Sequence, residues 1–155
     1  MKKLVKKFPP KADPPRAEKN KHKNMTKKIL LVDDRENVRV TLHDIFQNEG
    51  YTVVVATTGE KALEIIDKEK PDLVLLDTEL DTVVAQSMNG FEVCRQIKQV
   101  RKLSIKVIVY TGTLGMIDAV KARRMGADDY IIKGEDPAIL VEAVKKLIGD
   151  VKHGK

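Results

Sequence analysis

The sequence predicts an α/β fold: a doubly wound, five-stranded parallel sheet covered by five helices. Three observations predict it. From residue 27 onward, short aliphatic runs of strand length alternate with amphipathic stretches of helical period. The runs are apolar throughout, as strands buried on both faces are. Stop and turn signals separate the segments, so each strand is followed by a crossover helix.

The elements follow in order. Ile29-Leu30-Leu31-Val32 is the first strand; Val38, Leu42, Ile45 and Phe46 then recur at helical spacing until Asn48-Glu49-Gly50 stops the helix. Val53-Val54-Val55 is the second strand, and Ala62, Leu63, Ile65 and Ile66 mark a second helix that must end before Pro71. Leu73-Val74-Leu75-Leu76 is the third strand, and Phe91 to Val100 reads as one helix. Val107-Ile108-Val109 is the fourth strand, and Met116 to Met125 is a helix closed by Gly126. Tyr130-Ile131-Ile132 is the fifth strand. Pro137 opens the last helix, which runs to about Ile148 with Gly149 beyond it. Right-handed crossovers leave few topologies, and the common doubly wound ones place ligands beyond the carboxyl ends of the strands.

Composition bounds the rest. A chain of 155 residues holds one ordinary domain and a tail. The net charge of +6 is uneven: residues 1–28 carry 11 of the 29 Lys/Arg and 2 of the 23 Asp/Glu, leaving 18 and 21 elsewhere. The positive charge therefore sits in the first segment, and direct nucleic-acid binding by the folded part is not indicated. Residues 1–26, Lys-rich with Pro9, Pro10, Pro14 and Pro15, are expected to be a disordered tail. The folded domain is expected over 27–150, with a C-terminal tail over 151–155. The single cysteine, Cys94, excludes an internal disulfide and fits a cytoplasmic protein. No apolar run approaches the ~20 residues of a membrane span, and the basic N-terminus lacks the apolar stretch of a signal peptide.

Chemistry concentrates at the strand ends. Asp33 and Asp34 follow the first strand, Asp77 the third, Thr111 the fourth and Lys133 the fifth. Asp and Thr are common in turns and at helix starts, which explains any one of these positions. Three carboxylates converging with a lysine and a hydroxyl call for a cation, and an all-oxygen set with open positions suits Mg2+. A carboxylate is also a competent nucleophile toward phosphorus, giving an aspartyl phosphate. Phosphoryl transfer asks mainly for positioning and charge neutralisation.

These residues carry a resemblance. Ile29-Leu-Leu-Val-Asp-Asp34, Asp77 after its strand, Met88-Asn-Gly90, Thr111-Gly112 and Gly126-Ala-Asp-Asp-Tyr-Ile-Ile-Lys133 resemble the receiver domain of two-component response regulators over residues 27–150. The resemblance implies a flavodoxin-like sheet of strand order 2-1-3-4-5. It implies that Asp77 is the phosphoacceptor, served by a histidine kinase, a phosphotransfer protein or a small donor such as acetyl phosphate. Asp34 and Asp77 would hold Mg2+ directly, Asp33 mainly through water, and Glu79 through its backbone carbonyl. Thr111 would be the hydroxyl that moves toward the phosphoryl group, Lys133 its cationic partner, and Tyr130 the aromatic whose rotamer reports the switch. Such a domain is a signalling module that assists its own phosphorylation and dephosphorylation. It acts on a downstream effector protein that the sequence does not identify, and it admits a homodimer through the face of the fourth helix, fifth strand and fifth helix. The few residues after the last helix are read as no attached output domain.

Two departures from the family stand out. Asp81 occupies a position where receivers usually carry proline, and Gly90 lies thirteen residues after Asp77, so Thr82 to Ser87 reads as an insertion. Gly134 replaces the proline that usually follows the lysine through a cis bond. A trans bond or a rearranged loop is therefore expected, and with it a displaced Lys133. Both departures also fit a pseudo-receiver, a protein-interaction scaffold that is never phosphorylated. A third reading, a hydrolase built on Asp77-Thr78-Glu79, lacks the length for a substrate cap.

Overall fold

The computed structural model describes residues 26–80, 88–112 and 116–151. Its five strands are β1 (Lys28–Val32), β2 (Thr52–Ala56), β3 (Leu73–Leu76), β4 (Lys106–Thr111) and β5 (Asp129–Ile132). They form one parallel sheet in the order β2-β1-β3-β4-β5, as the sequence led us to expect. The crossovers are α1 (Glu36–Asn48), α2 (Gly59–Glu69), α3 (Gly90–Arg95), α4 (Met116–Arg124) and α5 (Pro137–Ile148).

Side chains of the central strands alternate between two cores. Leu30, Val32, Val74 and Leu76 face α2 and α3, against Ala62, Leu63, Ile66, Val93, Cys94 and Ile97. Ile29, Leu31, Leu73 and Leu75 face α1 and α5, against Leu42, Phe46, Leu140 and Val144. Cys94 is fully buried; its thiol donates to the Met125 carbonyl at 3.7 Å, and burial pushes its pKa up to about 11.

Local chemistry sets the helix starts. Thr58 caps α2 by accepting from the Lys61 amide, Asn89 caps α3 through Glu92, and Asp136 caps α5 beside Pro137. Helix α1 has no side-chain cap, although two aspartates precede it. The ten-residue helix read from Phe91 to Val100 divides: beyond Arg95 it widens into a π-helical turn over Gln96–Val100, closed by Arg101 N–H to Gln96 O at 2.8 Å. Strand β4 is longer than Val107–Val109 and carries Thr111 as its last residue.

The last helix is clasped to the sheet by Tyr51, whose hydroxyl donates to the Gly149 carbonyl at 2.6 Å. Burial, then the charges of Asp150 and Glu49, push this phenol up to about 12 from an ordinary 10.0. A folded-state pKa above the unfolded one gives stability that is complete below pH 10 and lost as pH rises through about 12. Denaturation midpoints between these pH values are expected to fall more steeply for wild type than for Tyr51→Phe, which lacks the titrating group; parallel slopes would refute this.

Candidate functional site

Register brings the strand ends together. Val32 pairs with Leu76, so Asp33 and Asp77 leave the sheet side by side, with Asp77 N–H donating to Val32 O at 3.0 Å. Leu76 pairs with Val109, which puts Asp77 level with Tyr110 and Thr78 level with Thr111. Thr111 pairs with Ile132, and Lys133 N–H donates to Thr111 O at 2.8 Å.

Asp33, Asp34 and Asp77 each offer a carboxylate oxygen, and these oxygens lie within 4.8 Å of one another. Asp33 does not cap α1. Its Oδ1 accepts from the Arg35 amide at 2.8 Å and its Oδ2 from Lys133 Nζ at 2.7 Å, so both oxygens are held by protein groups. Arg39 also donates to its backbone carbonyl at 2.9 Å. Asp34 is half-buried. Asp77 is 2% exposed. Its Oδ1 accepts from the Glu79 amide at 3.0 Å, while among the described residues its buried Oδ2 has no hydrogen bond. Lys133 Nζ stands 3.2 Å from that oxygen, an ion pair off the hydrogen-bond line. Burial raises the Asp77 pKa; the Glu79 amide and Lys133 pull it down, and the charge of Asp33 adds to the rise.

This donor set fits a hard dication. With all three carboxylates ionised, one ammonium leaves two negative charges uncompensated in a largely buried cluster, and one buried oxygen is left without a hydrogen bond. All-oxygen ligation of that kind is what Mg2+ takes.

The expected displacement of Lys133 is not observed. No cis peptide bond occurs among the described residues, and Gly134 turns the chain at φ +95°. That left-handed conformation disfavours side chains, and glycine reaches it freely, so Lys133 still points into the carboxylates. Its Nζ also lies 5.7 Å from the centre of the Tyr110 ring.

The remaining predicted residues surround this centre. Thr111 is fully buried, and Glu79 is exposed at the rim. Tyr130 is half-buried on β5, with its phenol pKa raised by burial and by the charges of Asp118 and Glu79. Gly90, thirteen residues from Asp77 in sequence, packs directly on the Asp77 backbone. It thus occupies the near-site place that the resemblance assigned to it. Asp81, the inserted Thr82–Ser87 and Thr113 lie outside the described residues. Sequence reasoning missed Thr78, which is buried and donates from its hydroxyl to Thr111 Oγ1 at 3.0 Å. The signal was its place two residues beyond the Leu76–Val109 pair, level with Thr111.

Residues 29–145 match the family model described as the response regulator receiver domain. The alkaline phosphatase synthesis transcriptional regulatory protein PhoP of Bacillus subtilis (strain 168) is 37% identical over 124 residues, 80% of this chain and 49% of that protein. The chain thus spans about half the length of this relative. Sporulation initiation phosphotransferase F of the same organism is 37% identical over 126 residues, 80% of this chain and 95% of its own length. Among solved structures, the BeF3-activated N-terminal receiver domain of Klebsiella pneumoniae RstA superposes with a TM-score of 0.71 at 30% identity, covering 78% of this chain and 97% of that one. A CheY-like receiver domain protein from Methanospirillum hungatei gives 0.70 at 32% identity, covering 78% and 92%.

Proposed function

The chain belongs to the response regulator receiver domain family, and from that premise we propose that it takes a phosphoryl group onto Asp77 and thereby switches a protein-binding surface. The observation that carries the reading is Asp77 Oδ2: a buried carboxylate oxygen with no hydrogen bond, facing Lys133 and two further carboxylates.

In the transfer, an Asp77 oxygen attacks the phosphorus of a phosphohistidine or of acetyl phosphate. A P–O bond to aspartate forms as the P–N or P–O bond to the donor breaks, and the imidazole or acetate leaves with that bond's electron pair. Mg2+, when bound, would neutralise charge on the phosphoryl oxygens. Asp34, Asp77 and the Glu79 carbonyl would hold it, with Asp33, whose oxygens are already engaged, acting through water. Lys133 is placed to meet a phosphoryl oxygen by exchanging one carboxylate contact for another, and Thr111 supplies a hydroxyl donor from the adjacent strand. Tyr130 would transmit the change to the face of α4, β5 and α5, where an effector protein or a second copy docks. The reading places the protein in the cytoplasm beside a histidine kinase or phosphotransfer protein. No helix among the described residues is long and apolar enough to cross a membrane.

Incubation with acetyl phosphate and Mg2+ is expected to give one phosphate adduct by intact mass, absent in Asp77→Asn and after chelation of the metal. No adduct with any donor would move the protein to the scaffold reading.

A further inference from the structure

The hydroxyl assigned to the switch is already engaged in this structure. Thr78 Oγ1 donates to Thr111 Oγ1 at 3.0 Å across the ends of β3 and β4, at side chains 8% and 0% exposed respectively at the residue level. Register makes this contact: Thr78 and Thr111 stand level on neighbouring parallel strands, on the same side of the pleat. Thr78 is also the residue next to Asp77, so the phosphoacceptor and the partner of the switch hydroxyl share one peptide unit.

We propose that Thr78 is a positioning residue that latches Thr111 in its resting place, so that the switch exchanges one buried hydrogen bond for another. The latch rests on the reading of Asp77 as phosphoacceptor. When Thr111 moves toward a phosphoryl oxygen, the Thr78 hydroxyl stays in a site almost closed to water and loses its partner. A buried polar group left unpaired is costly, and the cost falls on the switched state alone. A ligand that needs the switched state therefore binds more weakly by the fraction of molecules the latch withholds. Removing one buried hydrogen bond of this kind shifts a two-state equilibrium roughly 5- to 30-fold.

The test is titration of the full chain with beryllium fluoride and Mg2+, followed by calorimetry, in five forms: wild type, Thr78→Val, Thr78→Ser, Thr111→Val and the double valine variant. Thr78→Val is expected to bind roughly 5- to 30-fold more tightly than wild type. Thr78→Ser, which keeps the hydroxyl, should match wild type. In the Thr111→Val background the Thr78→Val change should have no effect, because the bond it removes is already gone. A purely structural role for Thr78 would not produce serine rescue together with loss of the effect in that background. Thr78→Ala carries the same expectation if valine prevents folding. Unchanged affinity in Thr78→Val, or an equal shift in both backgrounds, overturns the latch while leaving the phosphoacceptor reading intact. Absence of any beryllium fluoride uptake by wild type removes that reading, and the latch with it.

Discussion

Lys133→Met is expected to destabilise the metal-free protein by about 3–5 kcal/mol at neutral pH, and added Mg2+ to recover most of that loss. The ammonium lies 2.7 Å from Asp33 Oδ2 and 3.2 Å from Asp77 Oδ2, on a side chain only 12% exposed. Methionine keeps an apolar stem of similar length, so the substitution isolates the charge. Two buried carboxylates would then face each other without a cation, which is the costly half of a broken buried pair. The pH dependence has a definite sign. Burial already raises the Asp77 pKa, and removing Lys133 removes one of the influences holding it down. A folded-state pKa above the unfolded one contributes stability that is present at low pH and lost as pH rises through the folded value. The deficit of the variant is therefore widest at neutral pH and narrows on acidification. Urea denaturation with and without Mg2+, at neutral and mildly acid pH, reads all three effects; a variant as stable as wild type and indifferent to Mg2+ would contradict the placement of Lys133.

Gly90→Ala is expected to cost about 3 kcal/mol of stability and to slow phosphoryl uptake tenfold or more. A β-carbon at Gly90 would run into the Asp77 carbonyl oxygen and lie 2.6 Å from Thr78 Cα. Both are backbone atoms at the end of the central strand and cannot swing aside as a side chain would. Either α3 retreats from the sheet, opening the core around Val93 and Cys94, or β3 shifts and carries the nucleophile with it. Gly112 supplies the control, because a β-carbon there meets nothing within 4 Å. Thermal unfolding and the rate of adduct formation should separate the two alanine variants; similar behaviour would show that Gly90 is not the close approach described.

The parts of the site legible in the sequence were those set by strand ends. Asp33, Asp77, Thr111 and Lys133 are adjacent because each ends or follows an apolar run, and parallel register aligns those runs. What pattern could not supply was the direction of individual side chains and backbone turns. Thr78 lay hidden because a period-2 strand signal ends at Leu76, while the ladder's geometry continues two residues further. The fate of Lys133 turned on Gly134, where the absence of proline read as a lost constraint; a positive φ supplies a different turn with the same outcome. The π-helical turn after Arg95 was also invisible, since one wider turn barely changes apolar spacing over ten residues.

Cys94 gives the molecule an internal gauge of its own opening. It is the only thiol in the chain, fully buried, with a pKa pushed up to about 11, so an alkylating reagent meets almost no thiolate in the folded state. Modification then proceeds through openings that separate α3 from the sheet. With fast reclosing, its rate follows the free energy of those openings. Pulsed alkylation read by mass would thus rank variants of the strand-end cluster in dilute solution, or in a cell extract, without denaturant and without an engineered probe.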